Sequence, residues 1–266
     1  MEARALAEAI VRATLALAEA PLRVAYLRGL LCDSAPDHLA PGLEVLCASA
    51  EQVDPRAREC LVSLVDALAS ASAEPALRES IQRLREEAAG ESHLALERLL
   101  RSPADGAALP LRDPSKERVP DYGRGRPLTL GERKALARRP DREMMARLLL
   151  DPHPDVIRRL LVSPRLTEDD VVRLAAKRPS RPDVLSEIAR TEKWMHRSRV
   201  RMAIVLNPAT PVEIAAPIVS LLMRQELKLV AETVAVPRLV RALCVEHLER
   251  RPPVEHGEQD DDARLQ

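Results

Sequence analysis

The sequence predicts an all-α fold, with an N-terminal helical domain followed by an irregular helical repeat. Three observations carry that prediction. Pro140, Pro152, Pro164, Pro179 and Pro208 each interrupt an apolar pattern of helical period and restart it, as short stacked helices require. N-cap hydroxyls recur with a carboxylate three residues on: Thr129 with Glu132, Thr167 with Asp170, Ser180 with Asp183 and Thr210 with Glu213. There is no Phe, and Tyr26, Tyr122 and Trp194 are the only large aromatics. Aliphatic residues must then build the core, which suits packed helices better than a sandwich.

Residues 1–102 read as an acidic helical domain of five or six helices, with turn signals at Pro21, Pro36, Asp54-Pro55, Pro75 and Gly90. The first segment is Ala- and Leu-rich, but Glu2, Glu8, Arg12 and Glu19 break any continuous apolar core. It reads as an amphipathic helix with Leu6, Ile10, Ala13 and Leu17 on one face, and as no signal sequence. Asp54 and Pro55 form an N-cap and first-turn pair, followed at helical spacing by Leu61, Leu64, Val65 and Leu68.

Residues 103–127 hold Pro103, Pro110, Pro114, Pro120 and Pro127 with little apolar periodicity, which reads as a linker or extended strap. Its basic stretch from Lys116 to Arg126 is either a docking arm or a solvated tether. Residues 128–249 carry the repeat. Apolar faces recur at Met144, Met145, Leu148 and Leu149, at Val156, Ile157, Leu160 and Leu161, and at Val171, Val172, Leu174 and Ala175. Two more follow, at Val184, Leu185 and Ile188, and at Val200, Ala203, Ile204 and Val205. Pro217 inside Ile214–Val219 should kink its helix or move the start. Residues 250–266 form an acidic tail expected to be disordered.

Within the repeat region, Leu150-Asp151-Pro152-His153-Pro154-Asp155-Val156-Ile157-Arg158-Arg159-Leu160 resembles the helix junction of HEAT-type repeats. Asn207-Pro208-Ala209-Thr210-Pro211 is similar to the turns of leucine-rich repeat variants. Both resemblances imply an α–α superhelix over about residues 128–249, and hence a binding surface. Some leucine-rich repeat variants hold an iron–sulfur cluster, but Cys32, Cys47 and Cys60 do not match its spacing, so no cofactor is expected.

The chain of 266 residues has 41 basic and 41 acidic side chains and a formal charge of +0. That neutrality hides a layout. Residues 1–100 hold 10 basic against 16 acidic, residues 101–207 hold 24 against 15, and residues 208–266 hold 7 against 10. Arg138, Arg139, Arg142, Arg158, Arg159, Lys177, Arg178, Arg181, Arg197, Arg199 and Arg201 could therefore line one surface and meet an acidic protein or phosphates. The excess of Arg over Lys is also what a GC-rich genome imposes. Trp194 and Met195, beside Arg197, have the composition of an interface hot spot, with core filling as the alternative.

Six isolated histidines and four dispersed cysteines provide no metal-ligand spacing, and no nucleophile elbow, phosphate loop or dinucleotide fingerprint occurs. No catalytic, metal or cofactor residues are expected. No apolar run approaches the roughly 18 residues of a membrane span. The expectation is a cytoplasmic, non-enzymatic adaptor or scaffold for another protein, with nucleic-acid binding as the alternative.

Overall fold

The computed structural model describes residues 2–103 and 113–251. These residues contain sixteen α-helices and no strand, so the all-α expectation holds. None of the helices is long and apolar enough to cross a membrane.

Six helices build the N-terminal bundle: α1 (Glu2–Ala16), α2 (Ala20–Asp33), α3 (Pro36–Glu51), α4 (Pro55–Ala69), α5 (Pro75–Gly90) and α6 (Leu94–Leu99). A proline at the first or second position opens α2, α3, α4 and α5, where its missing N–H has no helical partner to lose. Asp54 caps α4, its Oδ1 accepting the Ala57 N–H at 2.8 Å. Helix α3 is central, touching α1, α4, α5 and α6. A Cβ at Gly42 would lie 2.7 Å from the Leu6 side chain, so glycine permits the close approach of α1. Helices α3 and α5 both end in a left-handed residue, Val53 (φ 66°) and Ser92 (φ 59°). The following N–H groups, of Asp54 and His93, bond back to Ser49 O (3.1 Å) and Ala88 O (2.9 Å), closing Schellman-type ends without glycine.

Ten helices follow: α7 (Leu130–Leu136), α8 (Arg142–Leu148), α9 (Pro154–Leu161), α10 (Glu168–Ala176), α11 (Pro182–Ala189), α12 (Glu192–Met195), α13 (Ser198–Val205), α14 (Val212–Leu221), α15 (Arg224–Glu232) and α16 (Arg238–Arg250). Consecutive helices such as α15 and α16 pack together, and so do helices that are not consecutive in sequence. Helix α9 packs on α7 and α11, α10 on α13, and α14 on α16. The apolar sets read from the sequence supply the contacts: Val156, Ile157, Leu160 and Leu161 are fully buried, as are Leu185, Ile188, Val200 and Ile204. Pro217 lies inside α14 and does not end it.

Two of the four expected capping boxes form. Thr129 with Glu132 and Thr167 with Asp170 exchange both hydrogen bonds. The other two do not, because a proline shifts the helix start. Pro182 opens α11, so Arg181 becomes its N-cap and grips Asp183. Pro211 caps α14, so the Thr210 hydroxyl donates instead to Ile204 O at 2.6 Å.

The bundle and the stack share one continuous apolar core. Helix α4 is the hinge of that union, touching α2 and α3 on one side and α11, α12 and α14 on the other. From Cys60 to Ala69 only Val62 escapes full burial. Arg58 reaches across to Leu221 O at 2.9 Å, and Arg251 donates to Ser220 O at 2.7 Å and to Leu222 O, so two arginines satisfy the last carbonyls of α14.

The described part of the strap, residues 113–127, is largely exposed but is tied to the stack: Glu117 pairs with Arg181, and Tyr122, 3% exposed, donates its hydroxyl to Asp151. Asp151 in turn accepts Arg133 Nη1 at 2.7 Å on both oxygens. A ring and a carboxylate thus anchor an otherwise irregular and exposed segment. Residues 104–112 of the strap, and the tail from residue 252, lie outside the described residues.

Candidate functional site

The cations that the sequence marks as a partner-binding surface are largely engaged within the stack. Arg142 pairs with Asp170 (2.7 and 3.0 Å), Arg158 with Glu187 (2.8 Å on both oxygens) and Arg199 with Asp169 (2.8 Å). The partners are 28, 29 and 30 residues apart in sequence, so each bridge joins two different helices. Arg197 lies 3.9 Å from Glu168, and Arg178 donates to Leu206 O at 2.7 Å. Burial alone would raise the Asp170 carboxyl, but hydrogen bonds from Arg142 and Thr167 outweigh it and hold the group below the usual carboxylate range. Arg138, Arg139, Arg159 and Lys177 are exposed and make no ion pair among the described residues.

Trp194 and Met195 are not on the surface. They are 2% and 1% exposed, and the indole Nε1 donates to Leu161 O at 3.0 Å, which assigns both to the core in place of the interface expected from their composition. Lys193 covers the ring from outside, its Nζ 4.3 Å from the centroid. Arg201, half-buried, donates to Met195 O at 2.7 Å. Sequence could not separate a hot spot from a core anchor here, because the same residue types serve both.

The bundle–stack seam collects the buried polar groups. Arg98 clasps Glu51 with two hydrogen bonds, at 2.8 and 2.6 Å, both side chains being almost fully enclosed. His247 Nδ1 stands 3.6 Å from Glu51, and its Nε2 stands 3.4 Å from Ser220 Oγ. This order of groups resembles a Ser–His–carboxylate relay, but its chemistry differs. Both Glu51 oxygens are occupied by Arg98, and Ser220 and His247 are 5% and 1% exposed. Burial, reinforced by Arg251, Arg98, Arg101 and Arg250, pulls the His247 imidazole down to about 3, leaving it a neutral packing group at ordinary pH.

Asp66, on α4, is 3% exposed, and neither carboxylate oxygen has a hydrogen-bond partner. Burial first and Glu192 second push its carboxyl up to about 8, against a smaller opposing pull from Arg201. The three buried cysteines are shielded in the same way, with the Cys244 thiol raised to about 12 by burial. Among the described residues no group of three or more His, Cys, Asp or Glu is placed to hold a metal.

The arrangement best suited to binding is a cleft of about 540 Å³ where the bundle meets the stack. Its walls come from α4, α5 and α6 on one side and from α11 and α14 on the other, with Leu68, Ile81, Leu99, Leu100, Ile214 and Pro217 supplying apolar surface. Helix α5 presents Arg78, Ile81, Gln82 and Arg85 to it, a single helical stripe. Opposite stands Glu213, which accepts the Ser102 hydroxyl at 3.0 Å. Arg85 is held by Leu100 O (2.7 Å) and Gln82 Oε1 (2.6 Å) and makes no ion pair among the described residues. Partial burial lowers its pKa, against weaker opposing pulls from Glu213 and Glu86. The cleft was hidden in the sequence because its facing walls, residues 68–102 and 186–217, are written far apart in the chain; the i, i+3, i+4, i+7 run of Arg78, Ile81, Gln82 and Arg85 was a local trace of one wall.

No protein-family model matches the chain, and no curated protein or solved structure matches it either.

Proposed function

We propose that this chain is a non-enzymatic scaffold or adaptor that holds another protein. The single observation that carries the reading is the junction cleft, an apolar concavity with few polar groups at the meeting of two helical units, which is where binding sites concentrate. The stacked helices of residues 128–249, in keeping with the HEAT-type and leucine-rich repeat variant resemblances, give the cleft a firm far wall. The alternative reading, nucleic-acid binding through the basic middle, draws on Arg138, Arg139, Arg159 and Lys177. It loses the cations already bridged to Asp170, Glu187 and Asp169. Cations neutralised within the stack add less to a phosphate track than unpaired ones do.

Affinity capture from the native cell with and without nuclease tests the two together. The scaffold reading expects partners to survive nuclease treatment, and expects no gel retardation of duplex DNA or RNA in about 50 mM salt. Partners that vanish with nuclease, or a strongly salt-dependent shift, would replace it with the nucleic-acid reading.

A further inference from the structure

Building on the scaffold reading, we infer that the junction cleft receives an amphipathic α-helix of a partner protein, with acidic residues along the flank that faces α5. The occupant follows from the walls. Arg78 and Arg85 stand on the same stripe of α5, seven residues and hence about 10.5 Å apart, with Ile81 between them. Acidic side chains seven residues apart on a docked helix repeat with that period. The cleft volume of about 540 Å³ accommodates a few large side chains and is too small to enclose a whole helix. Anchors at i, i+3, i+4 and i+7 that leave the helix body outside meet that limit.

Charge sets the orientation. Arg85 is partly withdrawn from water and has no ion pair among the described residues, so a carboxylate brought beside it gains a charge-assisted hydrogen bond at little extra desolvation cost. Glu213, on the opposite wall, repels acidic residues on that side and so selects a helix acidic on one flank only. The basic stack plays no part in this contact, because its inner cations already face Asp170 and Glu187.

The test uses two dye-labelled 16-residue synthetic helices sharing one leucine stripe, one flanked by glutamate and the other by lysine, titrated with the full chain by fluorescence anisotropy in low salt. The acidic helix is expected to bind at least about tenfold more tightly, a difference of about 1.4 kcal/mol. The double variant Arg78→Glu/Arg85→Glu is expected to reverse that order, with circular dichroism confirming that it is folded. Equal binding of the acidic helix by the wild type and the folded double variant would overturn the cleft as the site of this helix. Binding of neither helix, or displacement of the acidic helix by oleate at low micromolar concentration, would also overturn the peptide assignment. The nuclease-treated capture decides the scaffold reading independently. Should the double variant fail to fold, Gln82→Glu on the exposed rim is expected to weaken the acidic helix severalfold, and unchanged affinity counts against the proposal.

Discussion

Trp194 donates its indole N–H to the carbonyl of Leu161, 33 residues earlier, at 3.0 Å. One side chain thus ties the short helix α12 to the end of α9 and fills the space between them. Trp194→Ala should cost about 3–5 kcal/mol of stability, and Trp194→Phe, which keeps most of the ring but strands the carbonyl, about 1–3 kcal/mol. Urea denaturation followed by circular dichroism measures both. An unchanged midpoint for Trp194→Ala would return the residue to the surface.

Asp66 makes stability depend on pH in a direction opposite to most carboxylates. Its folded-state value, about 8, lies above the ordinary 3.8. The native state therefore keeps a proton that the unfolded chain releases, and stability falls as pH rises from about 4 to about 8, by up to about 1.4 kcal/mol per unit. Above that window both states are ionised and the loss is complete. Asp66→Asn should match the wild type near pH 4 and exceed its melting temperature at pH 8. Parallel melting curves for the two proteins across this range would exclude the effect.

The strap should be held by its one ring. Removing the Tyr122 hydroxyl leaves Asp151 with Arg133 but one donor short, so Tyr122→Phe is expected to cost about 1 kcal/mol. Asp151→Ala isolates a buried guanidinium and is expected to cost about 3–5 kcal/mol. Limited proteolysis, with cleavage near residues 118–126 read by mass spectrometry, should accelerate in both variants. Identical digestion rates would mean that the strap is anchored elsewhere.

Val53 occupies a left-handed position that costs a β-branched residue about 1–2 kcal/mol and glycine almost nothing. It is 42% exposed, so little burial is lost with the side chain. Val53→Gly should therefore raise stability by about 0.5–1 kcal/mol, after the greater backbone freedom of glycine in the unfolded chain is counted. A lower denaturation midpoint would contradict this.

Periodic burial was legible in the sequence because it is local: Val156, Ile157, Leu160 and Leu161 declare their shared face within a single helix. Helix starts were legible where the N-cap side chain bonded back to the first turn, as at Asp54 and Thr167, and misread where Pro182 or Pro211 moved the start. The roles of the arginines were not legible. Nothing near Arg158 announces Glu187, and only the packing of α9 on α11 brings them together. The cleft was hidden for the same reason, since one wall is written before the strap and the other after it. Trp194 shows the remaining ambiguity: the chemistry of a side chain is local, but its exposure is a property of the whole chain.

The last turn of α14 depends on Arg58 from the early part of the chain and on Arg251 near its far end. A chain ended before Arg251 would leave the Ser220 and Leu222 carbonyls without their guanidinium donor, so the integrity of this helix end is controlled from a residue about thirty positions downstream.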